Sequence, residues 1–111
     1  MKISEYHKKG LKNFVKEKPD SYKMLGSAKE GIHRIEIYIK EEKGKIKDAK
    51  FNSSRRCKKL TAIADLITEK IKGMSINRLK INKEEILEFF NEEKEKDKIV
   101  SRLNLIKKAL S

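Results

Sequence analysis

The sequence has very little cysteine, proline and aromatic content, and these shortages narrow the kinds of protein it can encode. Its 111 residues include one cysteine, one proline and no tryptophan, and aromatic residues make up 6% of the chain. A single cysteine excludes an intrachain disulfide framework and is typical of a reducing, intracellular setting. No apolar run approaches the ~20 residues of a membrane-spanning helix, and the N-terminus, MKISEYHKKG, lacks the apolar core of a signal peptide. We therefore expect a soluble, cytoplasmic protein with no membrane partner.

Positive charge, in contrast, is abundant. The chain has 29 Lys and Arg residues against 17 Asp and Glu residues, a formal net charge of +12. Such a charge favours acidic partners, either nucleic acid or an acidic protein surface. Lysine is also interleaved with glutamate throughout, however, as on the solvated faces of Lys- and Glu-rich or heat-adapted proteins. Charge alone leaves both interpretations open.

Alternating apolar residues predict a small antiparallel sheet over about residues 22–52. In residues 32–40, three isoleucines alternate with polar residues, the period of two that a half-buried strand shows. The segment KIKDAKF, residues 45–51, predicts a second strand after a turn that ends at Gly44, so the two form a hairpin. Residues 22–28 are ambiguous between an edge strand and a loop. The predicted sheet therefore has two or three strands.

Helical spacing of apolar residues predicts one helix before the sheet and several after it. The first covers residues 4–17 with Ser4 as its N-cap, and the helical part after the sheet covers residues 57–110, where Asn82 caps a short helix. At this length one core suffices, so we expect a single domain over residues 1–111. Its predicted fold class is α+β, with the helices packed on one face of the small sheet.

The only thiol of the chain lies among four cations. Cys57 follows Arg55 and Arg56 and precedes Lys58 and Lys59. The pattern places it in the first turn of a helix, where free N–H groups, the helix dipole and nearby cations all stabilise a thiolate. The sequence thus predicts a reactive thiol with these four residues as its stabilisers. The alternative, that Cys57 points inward and packs as a small apolar residue, stays open.

Several motifs around this thiol occur together in a known family. The strand DAKF, residues 48–51, leads through a loop to Cys57, and the following helix ends in TEKIKGMS, residues 68–75. The segments INKEEILEFF and DKIVSRLNLIKKAL follow. In this order the motifs resemble the U-type iron–sulfur cluster assembly scaffolds, the NifU/IscU family, over roughly residues 22–111. The resemblance implies a NifU/IscU-like fold and a role in iron–sulfur cluster assembly.

The resemblance also implies that two of the family's three cluster cysteines are replaced. Lys29 stands at the cysteine of the family's Ala-Cys-Gly-Asp loop and Gly31 at its aspartate, while Val100 stands at the cysteine of a His-Cys-Ser segment. Iron–sulfur clusters normally need four ligands, mostly thiolates. This chain offers Cys57, with His33 as the nearest second metal ligand. We expect a degenerate scaffold whose monomer does not hold a full cluster.

The function that follows from these observations is scaffold-like. We expect Cys57 to accept sulfur or to bind iron weakly, and the protein to act through contacts with a cysteine desulfurase or other cluster-assembly proteins. For His33 we favour a half-buried structural role over a metal-binding one. No paired acid and base or glycine-rich phosphate loop is present, so we expect no independent enzyme. The alternative is a small basic nucleic-acid-binding protein, although the chain shows no stacking platform or recognition motif.

Overall fold

A computed structural model describes residues 1–111. Three antiparallel strands form one sheet in the order β1-β2-β3, and four helices accompany it. The elements are, in chain order, α1 (Ile3–Lys9), β1 (Lys23–Glu30), β2 (His33–Glu42), β3 (Lys45–Ser53), α2 (Lys58–Ile71), α3 (Lys83–Phe89) and α4 (Lys96–Leu110). The predicted α+β fold is confirmed, and the ambiguous segment before β2 is the third strand. None of the helices combines the length and the apolar character that crossing a membrane requires.

The core lies between the sheet and the helices α2 and α4. Ile35, Ile37 and Ile39 of β2 are fully buried, because the period of two directs all three side chains to the same face. Where β2 pairs with β3, Ile37 lies opposite Phe51 and Ile39 opposite Ala49, so β3 adds to the same apolar layer. The alternation read from the sequence therefore identifies the buried face correctly.

A close approach between α4 and the edge strand β1 depends on Gly26. A Cβ atom added at this glycine would lie 1.7 Å from the carbonyl oxygen of Ala109 in α4. No side chain fits such a gap, so the packing of the last helix on the sheet requires glycine here. This contact fixes the position of α4, which carries part of the site described below.

The N-terminal helix is shorter than predicted. The helix predicted over residues 4–17 with Ser4 as N-cap extends only over Ile3–Lys9, and its N-cap is Lys2. It ends because Gly10 adopts a φ of +93°, which a helix cannot continue through. The chain then pairs with the edge of β3, where the N–H of Val15 donates to the carbonyl of Phe51 at 2.9 Å. Those backbone hydrogen bonds, invisible to helical periodicity, take the place of the predicted second half of the helix.

Asp65 of α2 holds this N-terminal segment in place. Its fully buried carboxylate accepts hydrogen bonds from the hydroxyl of Tyr6 at 2.6 Å, from the N–H of Lys12 at 2.9 Å and from the N–H of Asn13 at 2.7 Å. Burial and the hydrogen bond to Asp65 raise the pKa of Tyr6. Three donors offset the cost of burying the carboxylate. As a result α1 packs beside α2.

Candidate functional site

The thiol of Cys57 lies at the N-terminus of α2 and contacts two hydrogen-bond donors. Cys57 is the N-cap residue of this helix and is half-buried. Its Sγ atom accepts from the N–H of Leu60 at 3.4 Å and from Nε of Arg102 at 3.2 Å. Two donors, one from the backbone of α2 and one from a charged guanidinium, therefore converge on this sulfur.

An open cavity of about 430 Å³ lies in front of this thiol. Its walls come from α1, from the start of α2, from the connection before α4 and from α4 itself. Five lining side chains are cationic and one is acidic, so the cavity is strongly positive. The lining residues are Ile3, Ser4, Arg56, Cys57, Lys58, Lys59, Glu93, Lys98 and Arg102.

Three of the four cations that the sequence associates with the thiol line this cavity, and the fourth does not. The guanidinium of Arg55 lies over the ring of Phe14, 5.1 Å from its centroid, and this residue lines a separate cavity with Lys16 and Arg34. The charge of Arg55 therefore makes a cation–π contact with Phe14 and does not face the thiol. We therefore exclude Arg55 from the site and keep Arg56, Lys58 and Lys59 as its predicted members.

Sequence reasoning missed the two cations that α4 contributes, Lys98 and Arg102. They are four residues apart on α4 and so share one face of that helix. Both line the cavity, and Arg102 is the side chain that reaches the sulfur. The signal was available in part, because the resemblance places the helix around Val100 at the cluster site, and these residues flank that position.

Carboxylates neutralise only some of this charge. Glu95 lies 2.6 Å from Nζ of Lys98 and 3.9 Å from Nζ of Lys59. The hydrogen bond from Lys98 lowers the pKa of Glu95, and the same hydrogen bond raises the pKa of Lys98. Arg56, Lys58 and Arg102 form no ion pair.

The other predicted site residues lie outside this cavity. His33 is the first residue of β2 and is half-buried, and its Nδ1 atom is buried without a hydrogen-bond partner. Lys29 is exposed on β1, Gly31 occupies the β1–β2 turn with a φ of +62°, and Val100 is half-buried on α4. None of these four lines the cavity beside Cys57. The pairing of His33 with Cys57 as metal ligands stays a prediction.

The donor set beside Cys57 does not fit an iron–sulfur cluster. A cluster is held by about four ligands, mostly thiolates, and no group of three or more His, Cys, Asp or Glu side chains is positioned to hold a metal ion. The nearest side-chain partner of the sulfur is Arg102, whose guanidinium donates hydrogen bonds and has no lone pair for a metal. The sulfur of Cys57 therefore has cationic neighbours and no second thiol beside it.

Comparison with known proteins identifies the family. The family model described as the NifU-like N terminal domain matches residues 15–111. The chain belongs to this family. The resemblance seen in the sequence is thereby confirmed, and a role in iron–sulfur cluster assembly is the function that this family membership supports. The family match does not favour the predicted alternative, a small basic nucleic-acid-binding protein.

A solved structure shows the same fold. It is a crystal structure from the thermophilic Fervidobacterium islandicum, described as a candidate iron–sulfur cluster assembly scaffold protein for the SUF system. The identity is 17%, the TM-score is 0.64, and the match covers 98% of this NifU-like chain and 93% of the other. The comparison with curated proteins finds no match. Scaffold families of this kind are generally not enzymes, which agrees with the expectation from the sequence.

Proposed function

We propose that this NifU-like protein acts in iron–sulfur cluster assembly as a degenerate scaffold that accepts sulfur on Cys57 without holding a full cluster by itself. The observation that carries the proposal is the pair of donors on the Cys57 sulfur, the N–H of Leu60 and Nε of Arg102. They position a single sulfur inside a cationic cavity. A sulfur acceptor needs only one thiolate, whereas a cluster needs several.

The chemistry is a thiol exchange that conserves atoms and electrons. The Cys57 thiolate attacks the terminal sulfur of a persulfide on a cysteine desulfurase. A sulfur–sulfur bond forms at Cys57 while the sulfur–sulfur bond of the donor breaks, and the donor cysteine leaves as a thiolate. Leu60 and Arg102 donate hydrogen bonds to the attacking sulfur, so they hold it in position.

The charge of the site suits an acidic partner in the reducing cytoplasm. Arg56 and Lys58 are exposed at the rim of the cavity and have no carboxylate partner in the chain. We propose that a cysteine desulfurase or another cluster-assembly protein presents acidic side chains to them, which would increase the rate of association at low salt. Weak binding of iron at Cys57 stays part of the proposal, although the cavity contributes no second thiol.

The test is sulfur transfer from a cysteine desulfurase supplied with cysteine. We expect mass spectrometry to find one added sulfur atom on Cys57, and none on the Cys57→Ser variant. Absence of this adduct on the wild-type protein would remove the sulfur-acceptor role. In a parallel reconstitution with iron and sulfide, a cluster bound at high occupancy by the monomer would contradict degeneracy.

A further inference from the structure

We infer that the cavity beside Cys57 binds a small tetrahedral dianion of the phosphate or sulfate type. This inference goes beyond the proposed function, because it depends on the cations of the cavity and not on the transfer of sulfur to Cys57. The ligand chemistry is shared by free inorganic anions and by phosphate monoesters of small metabolites.

The first argument is the charge of the cavity wall. The five cations that line it face a single lining carboxylate, Glu93, whose Oε2 already accepts from the N–H of Ile3 at 3.3 Å. Only Lys59 and Lys98 have an ion pair, and both share Glu95. Positive charge is therefore left without a counterion inside the protein, and a dianion would supply one.

The second argument is the position of the lysines on α2. Lys58 and Lys59 occupy its first turn, which has no acidic residue, so their charges oppose the positive end of the helix dipole. Cations at this end destabilise a helix, and most helices place Asp or Glu there instead. A dianion in the cavity would attract both the lysines and the positive end of the dipole, which would offset their mutual repulsion.

The third argument is that one of the cations is held in place before any ligand arrives. Arg102 donates through Nε to the sulfur of Cys57 at 3.2 Å and through Nη1 to Oγ of Ser101 at 3.1 Å. A guanidinium has five N–H donors, so it keeps donors for an anion while its position is fixed by these two contacts. Prior ordering lowers the entropy cost of binding.

The shape of the site favours a small anion over a polymer. The cationic groups surround a concave space of about 430 Å³ between α1, α2 and α4, and α1 contributes Ile3 and Ser4 as one wall. Glu93 lines the same wall. An extended polyanion needs a groove that runs along its backbone, whereas these cations converge on one cavity where α1, α2 and α4 meet.

The experiment is a titration with inorganic phosphate, followed by NMR or calorimetry at constant ionic strength with chloride as the balancing anion. The variants are Arg102→Gln and the exposed Arg56→Gln, and the control is Arg78→Gln, which removes the same charge from an exposed loop. We expect each cavity variant to weaken phosphate binding about tenfold, as the loss of one charge-assisted hydrogen bond does. The control is expected to bind as the wild type does.

Several outcomes would overturn the inference. They are equal responses to phosphate and to chloride, phosphate binding that neither cavity variant weakens, or binding that is seen only with an oligonucleotide. If Arg102→Gln does not fold, Arg56→Gln and Lys58→Gln decide the result. A parallel titration with glycerol phosphate distinguishes the two sources: tighter binding than inorganic phosphate indicates a monoester, and equal or weaker binding indicates the free anion. Failure of sulfur transfer with intact phosphate binding would refute the proposed function alone.

Discussion

At the scale of single residues, Arg102 is the cation that contacts the thiol directly. The sequence surrounds Cys57 with four adjacent cations, yet the side chain that reaches its sulfur comes from α4, forty-five positions later in the chain. A hydrogen bond from a permanently charged guanidinium acts on the sulfur directly. Adjacent cations on exposed side chains are instead screened by water and salt.

We predict that Arg102→Gln slows the alkylation of Cys57. Loss of the charged donor destabilises the thiolate, which is the nucleophile, so the rate with iodoacetamide near neutral pH should fall by about threefold to tenfold. The measurement is the rate of adduct formation by mass spectrometry, with Arg78→Gln as the matched control. An unchanged rate would show that Arg102 does not activate the thiol.

A second prediction at this scale concerns the buried carboxylate. Asp65→Ala leaves the hydroxyl of Tyr6 and the N–H groups of Lys12 and Asn13 without an acceptor. Unpaired buried donors are costly, so the free energy of unfolding should fall by about 3 kcal/mol or more. Denaturant unfolding measures this, and Asp97→Ala, at an exposed position in α4, is the control with an expected loss below about 1 kcal/mol. Similar losses in both variants would argue against the network.

At the scale of elements, the site is assembled by helix placement. The N-terminus of α2 presents Cys57, Lys58 and Lys59. Arg102 reaches the sulfur only if α4 has the correct position along the sheet. The position of α4 depends on the contact between Gly26 of β1 and the backbone of α4. A change in this packing would therefore move Arg102 relative to the thiol, although Gly26 does not line the cavity.

We predict that Gly26→Ala destabilises the protein and disturbs the site. The added methyl group meets backbone and not a flexible side chain, so α4 must shift, at a cost of about 2 kcal/mol or more. Ser27→Ala, on the exposed neighbouring residue of β1, should be nearly neutral. Unfolding curves give the stability, and the alkylation rate of Cys57 reports on the site. Equal stability of the two variants would contradict the packing argument.

At the scale of the whole molecule, the net charge of +12 has two different explanations in different places. Much of the surface follows the interleaved pattern read from the sequence, with exposed pairs such as Lys47–Glu42 and Lys108–Glu30. Such exposed pairs contribute little to stability. The cavity beside Cys57 is the exception, because cations from separate segments meet there with few carboxylates.

A charged network that joins the N-terminal segment, β3 and α2 makes stability depend on pH. Hydrogen bonds from Lys72 and Asn13 lower the pKa of Glu69, and burial, which alone would raise the pKa of Asp48, is outweighed by hydrogen bonds from Tyr22 and Lys72. Burial of Lys72 opposes its charged form, but its hydrogen bonds to Glu69 and Asp48 leave its pKa raised. All three shifts favour the ionised network in the folded state.

We predict that these interactions contribute fully between the ordinary pKa values of the two carboxylates and that of Lys72. Outside this pH range their contribution to stability is lost. Because the carboxylate pKa values are lowered by folding, the contribution present above their ordinary values of 4.5 and 3.8 disappears as the pH falls below these values. Because the pKa of Lys72 is raised, its contribution disappears as the pH rises above 10.5. Lys72→Met should flatten the acid limb of the stability profile, by about 1 kcal/mol or less for partly exposed groups. An acid limb of unchanged steepness would contradict the network.

The sequence by itself determined the β2–β3 hairpin, the helical part that follows it and the family, because these depend on local periodicity and on motifs that are contiguous in the chain. The alternation of Ile35, Ile37 and Ile39 and the cap at Asn82 are local signals of this kind, and Asn82 does accept from the N–H of Glu85. The structure of the segment after Gly10 depended on hydrogen bonds to β3, a distant part of the chain. Likewise, only the packing of α4 on β1 and α2 decided that Arg102 reaches Cys57, because contact between distant segments follows from side-chain volumes and helix placement and not from spacing along the chain.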